Sequence, residues 1–363
     1  MNNLLSSSFG PTARVAHRAA AVAALTVTAF AAAAASGEVL RIANWNMANR
    51  PNDAADQASL ATILGHMGTL ATGGGTARPF DVLAMAEMDS NSIGAVTSIA
   101  ASTYATTTYT SVLTAADGGG DRTGFVYNSA TLQLMNSVDL GNVSMTHNAL
   151  RGHFRPIGTL GEADFHLYAV HLKSGTAIAD KTLRLSEARV LRADVDALGT
   201  ANVILAGDFN LHGSAELGAG VTSAWDALTA SGGHGQLFDP VNRPGAWRDN
   251  AAFRDLHTND PGGPMDDRFD LQLISGELTD GLGLDYRGGS YTVVGNNGTH
   301  ALDGLLSTGT GAPVNVLGAL AGLSDHLPVL ADYTYSVTAV PEPGAAMLLV
   351  GGLFLMVRRQ RGR

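Results

Sequence analysis

Short apolar runs that each stop on an acid, an amide or a histidine constrain this 363-residue sequence more than any other feature. Residues 39–45, 82–86, 125–127, 165–172 and 203–206 are strand-length and bounded by polar or turn-forming residues, so they read as buried strands. Ala188, Leu191, Val195 and Leu198 recur at helical spacing and Gly199 follows them, which predicts a helix over 182–198. Strands alternating with helix predict a layered α/β domain. The Gly-rich stretches 73–75, 118–120, 232–235 and 261–264 read as surface loops, and no internal repeat is visible.

The two ends differ from this body. Arg14, His17 and Arg18 precede an apolar run over 19–35 and then Ser36 and Gly37, the order of a secretory signal peptide. The alternative there is a buried N-terminal helix. Residues 336–340 read as a linker. Beyond it Pro341, Glu342 and Pro343 introduce an apolar stretch over 344–357 and the arginines 358, 359, 361 and 363. Fourteen residues are short for a membrane span, which takes about 20, and the arginines would stay on the cytoplasmic side. This end resembles the PEP-CTERM sorting signal of Gram-negative bacteria, which implies export, tethering and cleavage by an exosortase. A plain C-terminal membrane anchor is the alternative.

Composition limits the chemistry available to residues 37–335. There is no cysteine, which removes thiolate nucleophiles and Cys-based zinc sites and leaves oxygen ligands and histidine for a metal. Mg2+, Mn2+ or Ca2+ fits that set. Setting aside six terminal arginines and Glu342 leaves 16 basic and 31 acidic residues, a net charge of −15. Such a body opposes a long footprint on a polyanion, which needs many Lys and Arg contacts, but not attack on a single phosphate.

The residues that end the strands carry the candidate chemistry. Asn44 and Asn46 alternate onto one face at the exit of the first run, and Asn46 there is a neutral ligand or orienter beside a metal. Glu87 ends the second run with a carboxylate suited to a hard cation. His171 and Lys173 close the run over 165–172, and strand alternation would aim both at one phosphate oxygen. The same alternation would put Asp208 and Asn210 on one face after the run over 203–206. Asp270 interrupts an otherwise strand-like segment over 267–275. Ser324, Asp325 and His326 precede the strand over 329–333, and an acid beside a histidine makes a compact acid/base unit. Singly, each is weak: a lone glutamate there reads more readily as a solvated strand-end residue, and a lone strand histidine as structural.

As an ordered set, Trp45 with Asn46, Glu87, His171, Gly207 to Asn210, Asp270 and Ser324 to His326 resembles the endonuclease/exonuclease/phosphatase superfamily, the DNase I-like fold, across residues 38–335. The resemblance implies a four-layer α/β/β/α sandwich, two mixed sheets packed face to face with helices outside, and divalent-metal-dependent hydrolysis of phosphoester bonds. It implies Glu87 as the main metal ligand with Asn46 beside it, and Asp325 as a second metal-site carboxylate. Asp208 would orient or deprotonate the water, Asn210 and His171 would contact the phosphate, and Asp270 would orient His326. Arg151 corresponds to a phosphate-contacting arginine. Asp303 competes with Asp270 for its role. Ala48 stands where the apurinic branch has an acid, which points away from that branch. The expectation is an exported monomeric phosphodiesterase with Mg2+, hydrolysing DNA outside the cytoplasm. A sphingomyelinase-like or phospholipase C-like enzyme and a silent surface-binding protein are the alternatives.

Overall fold

A computed structural model describes residues 37–105, 108–141 and 146–337. The expected signal peptide and the expected sorting segment, with its exosortase site, lie outside the described residues. Among the described residues no helix is long and apolar enough to cross a membrane.

The first half runs β1 (Gly37–Asn46), α1 (Ala54–Thr69), β2 (Val82–Met88), α2 (Ser90–Thr103), β3 (Tyr109–Leu113), β4 (Arg122–Asn128), β5 (Leu132–Asp139), β6 (Leu150–Pro156) and β7 (Phe165–His171). The second half runs α3 (Ile178–Ala197), β8 (Asn202–Asp208), α4 (Ala224–Thr229), β9 (Leu237–Phe238), β10 (Asp270–Ser275), β11 (Leu284–Tyr286), β12 (Thr292–Val293), α5 (Val314–Leu323) and β13 (Val329–Ser336). One sheet has the order β11-β13-β1-β2-β4-β3 with β12 also on β13, and the other has β5-β6-β7-β8-β10-β9. Both sheets are mixed. β1 with β2 and β7 with β8 are parallel, while the remaining pairs are antiparallel.

Three apolar layers follow from period-2 alternation in the strands. Leu40, Ile42, Val82 and Ala84 of the first sheet meet Leu167, Ala169, Ile204 and Ala206 of the second. The odd partners Ala43, Trp45, Leu83 and Met85 turn outward onto Leu60, Ile63 and Leu64 of α1, Val96 of α2 and Leu317 and Leu320 of α5. On the far side Tyr168, Val170, Val203 and Leu205 pack on Ala188, Leu191 and Val195 of α3 and Trp225 and Leu228 of α4. The result is the expected four-layer α/β/β/α sandwich. Strands buried on both faces are why their sequences read as nearly continuous apolar runs.

The helix expected over 182–198 begins four residues earlier, at Ile178, because Asp180 reaches back to accept from Ala177 N at 3.2 Å and closes the first turn. Strand alternation fails at two expected places. β8 ends at Asp208, and Asn210 sits at φ +51, placed by a turn in which its own N–H donates to Asp208 Oδ1 at 2.8 Å. β7 likewise ends at His171, so Lys173 does not share its face.

One buried charge ties the first sheet to its helices. Arg41 donates through Nε and Nη2 to Asp332 at 2.8 and 3.0 Å and through Nη1 to the carbonyls of Leu70 and Arg78, both at 2.8 Å. Every hydrogen-bonding arm of the guanidinium has a partner, which is the condition for tolerating a buried cation.

Candidate active site

Four strand ends, one strand start and one loop bring the expected polar residues to one end of the sandwich. Asn46 is the last residue of β1 and pairs with Ala86, next to Glu87 on β2. In the other sheet Asp208 pairs with both His171 of β7 and Asp270 of β10, so these three stand at one level across three adjacent strands. His326 arrives on the segment just before β13.

Local backbone irregularities aim these side chains. Alternation would send Glu87 outward with Met85, but a register shift between Met85 and Met88 and a φ of +49 at Glu87 turn it toward Asn46. Asn46 Nδ2 donates to Glu87 Oε1 at 2.9 Å and to Asp208 Oδ2 at 3.1 Å, bridging the two sheets. Its oxygen, the atom a cation would need, accepts from Ala48 N at 3.0 Å. Asn46 therefore orients the two acids through its amide nitrogen, while its oxygen keeps a second lone pair beside Glu87. The carbonyl of Asn46 accepts from Ser324 Oγ at 2.7 Å, and Trp45 Nε1 donates to the His326 carbonyl at 2.8 Å, which fastens the His326 segment to β1.

His326 Nδ1 donates to Asp270 Oδ2 at 2.7 Å, and its Nε2 stands 3.6 Å from Asp208 Oδ2. Asp270 is fully buried and its Oδ1 has no hydrogen-bond partner among the described residues. Burial works against a charged imidazole, but Asp270 and Asp208 outweigh it and hold His326 up to about 10, so it is an imidazolium at neutral pH. His171 is the opposite case. Burial pushes it down to about 3 despite Asp208, and His147 and His326 push the same way, so it stays neutral. Its Nε2 lies 3.7 Å from Glu87 Oε1 and 3.6 Å from Asp208 Oδ2. Burial also raises Asp208, against the pull of His326 and His171. Glu87 is raised by burial and by the nearby charges of Asp208 and Asp325, against Asn46 and His326. Glu87 is partly exposed beside buried Asp208, and a carboxylate of raised proton affinity that solvent can reach is a donor suited to a hard divalent cation. Asp325 is exposed and its charge bears on Glu87, though these two and Asp208 do not form a set of ligand atoms within 4.8 Å of one another.

Other expected residues lie elsewhere. Arg151 faces α3, where Nη1 donates to Asp194 Oδ2 at 2.5 Å and Tyr168 hydroxyl reaches the same carboxylate at 2.6 Å. The structure does not bring it to the His171 and Asp208 level, because its position on β6 pairs with Tyr168, three residues short of the His171 end of β7. Lys173 donates to the Ser174 carbonyl at 2.7 Å and stands 3.6 Å from Asp180, turned to the start of α3. Asn210 is adjacent to Asp208, but its Nδ2 donates to the Leu172 carbonyl at 3.0 Å, where it holds the β7 end in place. Asp270, not Asp303, bonds His326 Nδ1. Asp303 joins Asp249 and Asp266 instead, the three carboxylates lying within 4.8 Å of one another. A second group, Asp117, Asp121 and His147, lies within the same span beside His171. Sequence reading missed His147, Asp117 and Thr258, whose Oγ1 accepts from Asp270 N at 3.0 Å. The pair of aspartates flanking three glycines, Asp117 to Asp121, was the available signal for the first two.

The fold is similar to that of several solved structures. An endonuclease/exonuclease/phosphatase from Bacteroides vulgatus matches with a TM-score of 0.52 and 13% identity, covering 82% of this chain and 100% of that one. D. rerio TDP2 humanized by 14 mutations matches with a TM-score of 0.51 and 16% identity over 81% of this chain and 98% of that one. D. rerio TDP2 complexed with single strand DNA product matches with a TM-score of 0.51 and 15% identity over the same shares. These likenesses establish the DNase I-like architecture. No protein-family model and no curated protein matches the chain by sequence.

Proposed function

We propose that this chain is an exported, divalent-metal-dependent phosphodiesterase that hydrolyses nucleic acid, with DNA as substrate. The observation that carries the reading is the convergence of Asn46, Glu87, His171, Asp208 and the His326–Asp270 pair at one end of the sandwich. Glu87 and Asp325 would hold the cation, which supplies positive charge opposite the phosphoryl oxygens. Mg2+ or Mn2+ suits these oxygen donors, and Ca2+ suits them less selectively.

The protein's own groups account for the remaining steps. Asp208, raised by burial and free of any covalent role, accepts the proton of a water aimed at phosphorus. As the new P–O bond forms, the bond to the leaving oxygen breaks. The His326 imidazolium stabilises the charge on the phosphoryl group and donates a proton toward the leaving oxygen, while Asp270 fixes its ring. Neutral His171 offers one N–H to a phosphoryl oxygen without adding a second positive charge next to His326.

The DNA assignment is supported by the DNA-bound D. rerio TDP2 that shares this architecture. Export is supported by the N-terminal and C-terminal segments of the sequence, and processing by an exosortase would follow from Pro341 to Pro343. Purified protein incubated with plasmid DNA, RNA, sphingomyelin and a bis-aryl phosphodiester, each with Mg2+ or EDTA, tests the substrate. Metal-dependent nicking of DNA that weakens steeply with salt, more than hydrolysis of the aryl ester does, is expected. Preference for sphingomyelin with DNA untouched would replace the nuclease reading with the lipid one. Mass spectrometry of secreted material tests export, and retention of residues 19–35 would contradict it.

A further inference from the structure

Hydrogen bonds do not explain how His171 keeps its orientation. Its Nδ1 has no partner among the described residues, and the 3.6 and 3.7 Å separations at Nε2 are too long to fix a ring. The last torsion of an imidazole is broad and roughly two-fold, so something else must limit it. Against the ring face lies His147, with centroids 3.9 Å apart and planes 5° apart.

His147 is itself clamped. Its Nδ1 donates to Asp117 Oδ2 at 2.5 Å. The Asp117 side chain is almost wholly buried, and its Oδ1 accepts from Gly119 N at 2.8 Å and Asp121 N at 3.0 Å, so the carboxylate cannot swing. The backbone on either side is tied as well. Thr146 N donates to Glu187 Oε1 at 2.6 Å, and the Asn148 carbonyl accepts from Thr123 Oγ1 at 2.8 Å. The second oxygen of Glu187 accepts from Lys173 N at 2.8 Å, two residues past His171. One buried carboxylate on α3 thus holds the chain on both sides of the stacked pair. A pair that only filled space would need neither the Asp117 bond nor this shared anchor.

We propose that His147, backed by Asp117, is a positioning residue that fixes the ring plane of His171 in the hydrolytic site. The proposal rests on the phosphodiesterase reading for its kinetic consequence, but its geometric content is independent of it. Without the stack the His171 ring turns about its last torsion, and Nε2 leaves the place beside Glu87 and Asp208 where a phosphoryl oxygen would sit.

The test uses full-length protein and a bis-aryl phosphodiester with Mg2+. His147→Ala is expected to lower kcat by about 10- to 100-fold with KM nearly unchanged, since misplacement of about 1 Å costs that much. His147→Phe keeps a flat ring on His171 and is expected to recover most of the loss. In a His171→Ala background the same His147→Ala change is expected to cost less than about 2-fold, because an absent ring cannot be misplaced. Equal losses in both backgrounds, or a Phe variant as poor as the Ala variant, would overturn the proposal. A second readout needs no activity. In histidine-labelled protein the His171 ring protons should be shifted upfield by the His147 face, and His147→Ala should abolish that shift. If wild type shows no such shift the positioning claim fails, even in an active enzyme. A shift present in a chain that hydrolyses nothing would support positioning and refute only the hydrolytic reading.

Discussion

Gly207→Ala tests how the second sheet sets the site. Gly207 lies between Ala206 and Asp208 at φ +143, a region that residues with a Cβ rarely adopt. An added Cβ would penetrate the Val170 carbonyl oxygen on β7 and approach Val170 N at 3.0 Å and its carbonyl carbon at 3.1 Å. These are backbone atoms of a central strand pair, so no side chain can step aside. Relief requires β7 and β8 to part by about 1 Å, since carbon contacts are comfortable only near 3.5–4.0 Å. Backbone strain of about 1–3 kcal/mol adds to lost strand pairing, giving a destabilisation of about 3 kcal/mol or more. For a domain of this size that is a fall in melting temperature of about 5–10 °C. The same displacement separates His171 from its register partner Asp208, so hydrolysis should fall by about 100-fold in protein that remains folded. Circular-dichroism melts and aryl-phosphodiester kinetics read both effects. A variant that melts within about 1 °C of wild type, or that is as active, would refute the claim that this glycine holds the two strands at catalytic spacing.

Other perturbations follow from single contacts. Asp270→Asn removes the carboxylate that holds His326 charged, and kcat should drop by about 10²- to 10⁴-fold with secondary structure intact; a loss under about 5-fold would contradict the role given to the pair. Asp332→Ala leaves the Arg41 guanidinium buried without its anion and should cost about 3–5 kcal/mol in urea unfolding, against an unchanged midpoint if the pair is dispensable. His257 and His300 are buried, and burial holds both below the usual imidazole value of 6.5, His300 down to about 4. The unfolded chain therefore takes up protons first as pH falls, so their contribution is complete above pH 6.5 and is lost between 6.5 and about 4. Unfolding followed from pH 8 to 4.5 should show this decline, flattened in a His300→Gln variant; a variant that declines as steeply as wild type would refute the assignment.

The layered fold was legible because strands buried on both faces leave runs of Val, Ile, Leu and Ala that few other structures need. Helices α1, α2 and α5 were not read, since Ala, Gly, Ser and Thr blur their periodicity and only packing on the first sheet selects them. At the site, Asn46, Glu87, His171 and Asp208 were legible as polar ends of apolar runs, and Asp270 and His326 as polar residues opening or preceding a strand. Strand alternation misplaced Lys173 and Asn210 because both lie past the strand ends, where a turn decides direction. Arg151 could not be excluded from sequence, since nothing local reveals that Asp194 and Tyr168 claim its guanidinium. His147 stayed hidden for the same reason, its partner Asp117 being 30 residues away.

Hydrolysis of a bis-aryl phosphodiester by wild type, Glu87→Gln and His326→Ala, with Mg2+ and then with EDTA, tests the central claim most directly. The account predicts Mg2+-dependent turnover in wild type, abolished by EDTA and reduced by about 10²-fold or more in each variant. Turnover that ignores EDTA, or two variants that match wild type, would contradict the assignment of these residues as a metal-dependent phosphodiesterase site.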